Sequence, residues 1–439
     1  MRRALISGLL AFLLAGPSAA ADTLRADGAL LQRDEIEELK RVVGVLTDEI
    51  ADLRERQGVP EELNLEGEYG LGPAASKVYG AQPGLSIGGY AEGYYQHQRH
   101  GDNKADMLRT VLYVGYKFSD RIVFNTEIEF EHATTSATDA STSGSVSVEF
   151  ATLDYLMSDE LNFRTGLVLV PMGLLNEFHE PPFYFGTHRP EAEQRIIPTT
   201  WRENGAGIFG RFGETFQYRA YVVNGLLAKG FDAAGLRGGR QQGNRANFND
   251  PAFVARVDFT PIPGLLIGGS YYVGDSGGDQ EATQEIDQNV TTELPDVLTS
   301  IWELHAQYRN GPLQLRGLWA QAHIGDAGEL STALGLKDDR GVSRRSIGGY
   351  AEAAYEVMPL LFPNSDWGLE PFFRFEYIDT QNSVPSGFIV NRAERERLFI
   401  PGLNLRPHPN VVLKFDYRNI DDFGGEDQDE FNFGFGVVF

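Results

Sequence analysis

The chain has 439 residues, a formal charge of −24 and no cysteine. The missing cysteine excludes disulfides, thiolate metal sites and a cysteine nucleophile, and the strong acidity argues against nucleic acid as a partner. Glycine, with 50 residues, and aromatic residues, at 11%, are both abundant. A membrane β-barrel accommodates both, because small residues fit tight interior positions and aromatic residues gather at the membrane interfaces.

Residues 1–21 have the pattern of a secretory signal peptide. Arg2 and Arg3 precede an apolar run from Leu5 to Leu14, and small residues follow. An apolar run of this length cannot cross about 30 Å of hydrocarbon as a helix. We therefore expect export, with cleavage after Ala21.

Residues 26–58 are predicted to form a periplasmic α-helical coiled coil. Apolar residues recur there with the 3-4-3-4-3 spacing of a heptad a/d seam, namely Ile36, Leu39, Val43, Leu46, Ile50 and Leu53. A helix this short is marginally stable alone, so we expect it to associate with copies of itself. The alternative is a single amphipathic helix that rests on the barrel. A linker is expected over 59–84.

From residue 85 onward the hydrophobicity alternates with a period of two, which predicts β-strands with one face suited to lipid and one to water. About sixteen strands are predicted. Their expected ranges are 85–98, 107–118, 122–132, 146–157, 161–171, 205–212, 216–224, 252–260, 264–273, 299–309, 312–323, 345–357, 369–379, 396–406, 410–418 and 430–439.

Short turns alternate with long polar loops along this region. Turns such as 119–121 and 213–215 fall on one side, whereas loops of about a dozen to more than thirty residues fall on the other, the asymmetry typical of outer-membrane barrels. The last strand ends on Phe439, which looks like the assembly signal of bacterial outer-membrane proteins. The sequence thus predicts an all-β transmembrane antiparallel barrel over 85–439, located in the bacterial outer membrane.

A barrel of about sixteen strands is wide enough for an aqueous channel, so function depends on what narrows it. The long loop 172–204 is rich in aromatic residues and is expected to fold into the barrel as a constriction; a packed surface loop or a trimer contact is the alternative. Candidate pore-lining and constriction residues are Arg109, Lys117, Arg164, Glu177, Glu180, Arg189, Arg195, Arg202, Glu203, Arg219, Arg256, Arg316, Arg374 and Lys414. Carboxylates also face inward, so the lumen is expected to carry both positive and negative charges. These charges could select the permeating ion, or arginine and carboxylate side chains could pair across strands and orient each other.

No enzyme, cofactor or metal site is expected from the motifs. His179 and Glu180 are adjacent, but the second histidine of a His-Glu-x-x-His zinc motif is missing. No serine lies in a Gly-x-Ser-x-Gly elbow, so the sequence offers no esterase-type nucleophile.

The long loop also carries the stretches His-Glu-Pro-Pro at 179–182 and Pro-Thr-Thr-Trp-Arg-Glu at 198–203. Together with the signal peptide, the short coiled coil and the terminal Phe, they resemble the phosphate-selective porin O/P family over nearly the whole mature chain. The resemblance implies a homotrimer and an arginine-lined, anion-conducting pore, with anionic solutes such as phosphate. The acidity of this chain departs from that pattern.

We therefore expect a porin for passive diffusion of small ions or solutes, with its ion preference open. The alternative is an envelope tether in which the coiled coil contacts the cell wall and the barrel serves as an anchor.

Overall fold

A computed structural model describes residues 40–42, 44, 67–132, 144–283, 290–425 and 428–439. The chain divides into Met1–Glu62 and Leu63–Phe439. The signal peptide predicted over 1–21 lies outside the described residues. So does most of the coiled coil predicted over 26–58, of which the four described residues are helical. Within the described ranges, no helix combines the length and the apolar character needed to span a membrane.

In the described part of Leu63–Phe439, sixteen antiparallel strands close into a barrel, in which β1 pairs with β18. The barrel strands are β1 Gly84–Gln98, β2 Lys104–Lys117, β3 Ile122–Glu131, β4 Ser145–Leu156, β5 Asn162–Leu169, β6 Arg202–Phe212, β7 Phe216–Asn224, β8 Pro251–Ile262, β9 Leu265–Asp275, β12 Leu298–Asn310, β13 Leu313–Ile324, β14 Arg345–Tyr355, β15 Gly368–Ser383, β16 Arg395–His408, β17 Val411–Asp422 and β18 Gln428–Val438. The strands β10 Glu281–Thr283 and β11 Thr291–Glu293 form a separate hairpin.

The outer surface of the barrel carries the apolar face predicted from the alternation. Exposed outward residues include Val146 and Val148 in β4, Phe373 and Phe375 in β15, and Phe433 in β18. These side chains would be unfavourable in water but suit a hydrocarbon environment. Between Phe373 and Phe375 the chain turns the buried Arg374 to the inner face.

The closed barrel and its sixteen predicted strands are confirmed, with three local differences. Arg202 and Glu203 were expected in the loop 172–204 but belong to β6, because Arg202 pairs with Leu169 of β5. The hairpin of β10 and β11 lies within a region expected to be loop. A short helix, α1 Pro73–Gly80, lies within the segment expected to be a linker.

Helix α1 packs against the inner faces of β1, β2 and β3. Val78 of this helix lies so close to Gly115 of β2 that a Cβ at that glycine would stand 2.6 Å from the Val78 Cβ. The inward residues Val111, Tyr113 and Val123 are consequently buried in an apolar cluster with α1. The inner face of these strands was expected to meet water, and the helix covers it instead.

The loop between β5 and β6, residues 170–201, is called L3 here. It contains a 3-10 turn, Pro181–Phe183, and a short helix, α2 Glu191–Arg195. Most of its side chains are buried, because its apolar residues join one large cluster with inward residues of the wall from β5 to β16. L3 is therefore packed inside the barrel rather than extended from its rim.

Two further helices lie in connections between barrel strands. Helix α3, Ala327–Ala333, follows β13, and helix α4, Met358–Leu361, lies in the connection from β14 to β15.

Candidate channel interior

L3 is tied by hydrogen bonds to strands on several sides of the barrel. The Tyr184 hydroxyl donates to Glu92 of β1 at 2.6 Å, and the Tyr350 hydroxyl of β14 donates to Glu193 at 2.7 Å. Main-chain groups of L3 are also engaged, since the Thr187 N–H donates to Asp416 of β17 at 2.6 Å. These contacts hold the part of L3 from Tyr184 to Glu193 against β1, β14 and β17.

Most of the predicted pore-lining arginines form ion pairs with carboxylates of the wall or of L3. Arg164 is a clear case, because its Nε and Nη2 contact the two oxygens of Asp154 at 2.9 and 2.8 Å. The other pairs are Arg109 with Glu92, Glu129 and Glu131; Arg195 with Glu394 and Glu396; Arg202 with Glu149; Arg219 and Arg256 with Glu177 and Asp258; Arg316 with Glu352; and Arg374 with Glu352 and Glu376. This is the arrangement expected where the two charges orient each other.

Lys117 and the predicted carboxylates of the loop region have identifiable partners as well. The Lys117 Nζ donates to the backbone oxygens of Tyr79 and Ala81 at the end of α1, both at 3.0 Å. Glu180 accepts from the first turn of α1. Glu203 accepts from Asn224 at 2.6 Å and from the Trp201 ring at 3.2 Å.

Arg189 and Lys414 differ from the other cations. Among the described residues neither forms an ion pair, and Arg189 Nη2 and Lys414 Nζ are buried without a hydrogen-bond partner. The Lys414 Nζ lies 3.4 Å from the centre of the Tyr184 ring, a cation–π contact. Both cations act electrostatically on Glu92, which already pairs with Arg109. Arg189 and Lys414 are thus the predicted pore-lining cations that lack a carboxylate partner in the described part of the chain.

A cavity of about 1150 Å³ adjoins L3 and reaches the short-turn end of the barrel, where Gly213, Gly264 and Pro409 line it. Six arginines and six carboxylates also line this cavity, so its charges balance: Arg211, Arg219, Arg256, Arg309, Arg316 and Arg406 with Glu177, Glu214, Asp258, Glu356, Asp366 and Glu370.

Sequence reasoning missed several inward residues. Asp154 lies on the inward phase of β4 and could have been found by alternation. Glu149 could not, because a β-bulge between the pairs Glu127–Phe150 and Ile128–Val148 turns both Glu149 and Phe150 inward. A bulge inserts an extra residue and breaks the period of two. Tyr79 and Tyr184, which contact the wall charges, carried no periodic signal.

No family model matches the chain. A protein from Aquifex aeolicus (strain VF5), described as an uncharacterized protein, is 37% identical over 370 residues, which are 82% of this chain and 81% of that protein. The chain belongs to the family of that protein. The description states no activity, so the family membership adds none.

Solved structures show the fold of the barrel. OmpT of Vibrio cholerae lacking its loop L8, an outer-membrane protein, has a TM-score of 0.52 and 11% identity and covers 81% of this chain and 99% of its own. Salmonella typhi OmpF, in a complex with daunomycin, has a TM-score of 0.50 and 14% identity. The match covers 81% of this chain and 97% of the OmpF chain. The chain therefore has the sixteen-stranded fold of outer-membrane porins.

Proposed function

We propose that the protein is an outer-membrane channel for the passive diffusion of small ions and solutes, that L3 forms its constriction, and that the channel prefers anions. A closed barrel satisfies every backbone polar group within a membrane without an exposed sheet edge. A barrel of this strand number is also wide enough to enclose an aqueous path beside an inserted loop. The band of exposed apolar residues, which includes Phe373 and Phe433, supports a membrane location.

The observation that carries the anion preference is the unpaired state of Arg189 and Lys414 beside L3. Cations that already pair with carboxylates contribute little net potential, whereas these two have no carboxylate partner among the described residues. Charged side chains at the narrowest point of a pore select ions of the opposite sign. The balanced charges of the adjoining cavity do not oppose this preference.

The sequence resemblance to the phosphate-selective porins supports two finer parts of the proposal. Inorganic phosphate is the first solute to be tested, because a doubly charged anion would gain most from two unpaired cations. A homotrimer in the outer membrane is the proposed assembly. The proposed activity is passive and needs no cofactor.

Planar-bilayer recording of the purified full-length protein tests the channel. We expect stepwise openings and, under a potassium chloride gradient, a reversal potential of the sign set by chloride permeation. Stepwise openings that prefer potassium would contradict the anion preference but would still support a channel. An absence of openings from folded protein would contradict the proposal of a channel.

The envelope tether remains a prediction, and deletion of residues 26–58 separates it from the channel. A channel keeps its conductance without this segment, whereas a tether loses attachment of the barrel to the cell wall. The two readouts are conductance in bilayers and co-sedimentation of the protein with purified cell-wall material.

A further inference from the structure

His179 of L3 is buried and held in one tautomer. Its Nδ1 lies 3.0 Å from the backbone oxygen of Asn176. A carbonyl oxygen can only accept, so Nδ1 must carry the proton. In the neutral imidazole, Nε2 then carries the lone pair.

That lone pair faces a carboxylate. The Nε2 of His179 lies 3.3 Å from Oε1 of Glu127 in β3, whose side chain is fully buried. Two acceptors at this separation repel each other unless a proton or a metal ion lies between them. Glu127 has no arginine or lysine partner among the described residues, and its Oε2 makes no hydrogen bond there.

A second buried carboxylate, that of Glu149, lies close to His179 and Glu127. The β-bulge in β4 turns Glu149 inward, with 1% of the residue exposed. Arg202 contacts its Oε1, while its Oε2 has no hydrogen-bond partner among the residues described. One ligand atom each from Glu127, Glu149 and His179 can be chosen so that all three lie within 4.8 Å of one another.

We propose that His179, Glu127 and Glu149 bind a divalent transition-metal ion, with Zn²⁺ as the reference ion. Zinc is commonly bound by an imidazole nitrogen and carboxylate oxygens at about 2.0–2.2 Å, and three protein ligands leave a position for water. Ligand atoms of one tetrahedral ion lie roughly 3.5 Å apart, so closure needs side-chain movements of about 1 Å. The backbone oxygen of Asn176 supplies the outer contact that fixes the imidazole orientation.

The barrel contains a second buried histidine that provides a comparison. His305 also lies between two carboxylates, Glu303 at 2.9 Å and Asp258 at 2.8 Å. Both of its ring nitrogens are engaged by carboxylates, and Asp258 pairs in addition with Arg219 and Arg256. No free lone pair of this ring is available to a metal, so the two histidines should behave differently.

A metal at this site would join L3 to the wall. His179 belongs to L3, whereas Glu127 and Glu149 belong to adjacent strands, and the existing contact between loop and wall here is the 3.3 Å approach of His179 to Glu127. The ion would replace this one contact by three bonds. This inference concerns ion binding alone and does not depend on channel activity.

The test uses full-length protein purified in detergent without a histidine tag and stripped with EDTA. Titration with Co²⁺ reports coordination through visible d–d absorption, and Zn²⁺ binding is measured by calorimetry and by metal analysis after gel filtration. We expect one Zn²⁺ per chain and a higher urea midpoint of unfolding in the presence of Zn²⁺. The variants His179→Gln and Glu149→Gln should each weaken Zn²⁺ binding by at least about 100-fold, more than the loss of an outer contact.

The variant His305→Gln is the matched control and should keep Zn²⁺ binding while changing stability. Folding of each variant is checked by its heat-dependent mobility on gels, and the two ligand variants are independent of each other. An absence of Zn²⁺ and Co²⁺ binding by the wild-type protein would overturn the proposal, since a proton would then bridge His179 and Glu127. Unchanged binding in both ligand variants would overturn it as well.

Discussion

The carboxylate of Glu180 in L3 accepts a hydrogen bond at 3.0 Å from the backbone N–H of Ala74, which lies 106 positions earlier in the chain. The next N–H, that of Ala75, also donates to it at 3.2 Å. The N-cap residue of α1 is Gly72, which has no side chain to cap the helix. Glu180 therefore takes over the role of an N-cap, and the position of α1 depends on L3.

The first prediction is that loss of the Glu180 carboxylate loosens α1. Removal of an N-cap side chain costs about 1 kcal/mol, which corresponds to a roughly fivefold larger population of undocked helix. The chain has no cysteine, so Ser76→Cys places a single thiol on the buried side of α1. Maleimide labelling of this thiol should be roughly fivefold faster when Glu180→Ala is added.

Glu191→Gln is the control for that experiment. Glu191 is another carboxylate of L3, but it pairs with Arg418 rather than with α1. Equal labelling rates in the Glu180→Ala and Glu191→Gln backgrounds would show that Glu180 does not hold the helix.

The second prediction concerns Arg164, which was predicted from the sequence to line the pore. The structure gives it a buried pair with Asp154 and a hydrogen bond to Tyr79 of α1 at 3.0 Å. Arg164→Met should lower the free energy of unfolding by about 3–5 kcal/mol, because Asp154 is left buried and unpaired. Urea unfolding in detergent micelles measures this change.

Replacement of both partners tests the cause of that effect. The double variant Arg164→Met with Asp154→Leu should recover most of the lost stability, since no uncompensated charge stays buried. A double variant as unstable as Arg164→Met would contradict the assignment. In bilayers the ion preference should be unchanged by the double variant.

The third prediction concerns the attachment of L3 to the far wall. Tyr350→Phe removes the hydroxyl that donates to Glu193 and leaves a buried carboxylate with one partner fewer. We expect a loss of about 1–3 kcal/mol in the free energy of unfolding and noisier open-channel current. Tyr308→Phe is the control, because its hydroxyl accepts from Asn310 at an exposed site. A stability loss of the same size in both variants would contradict a special role for Tyr350.

The strands of this protein could be predicted from its sequence, whereas the arrangement of the interior could not. Alternation of apolar and polar residues reports which face meets lipid, and this requirement holds for every strand of a membrane barrel. It fails at Glu149, where a bulge changes the phase, and at Arg202, where pairing with β5 extends a strand into an expected loop.

Alternation also carries no information on what covers the inner face. The strand pattern predicts that Val111 and Tyr113 face the pore. In the structure they pack against α1, which explains why apolar side chains occur at these positions. The aromatic content of L3 indicated that the loop would be buried, but the partner of each of its residues lies in a strand distant in the chain. The contact between Lys414 and Tyr184 joins residues 230 positions apart, which no local pattern predicts.

The measurement that tests the account most directly is the reversal potential of Lys414→Gln in planar bilayers under a salt gradient. A unit charge about 4 Å from a permeating ion changes its energy by about 1 kcal/mol in a water-like medium, with opposite signs for an anion and a cation, so loss of the Lys414 charge should lower the anion-to-cation permeability ratio by up to roughly 30-fold. Lys117→Gln is the control, because Lys117 already donates to the end of α1, and it should keep the wild-type ratio. A wild-type ratio in Lys414→Gln would contradict the claim that the unpaired cations beside L3 select the ion.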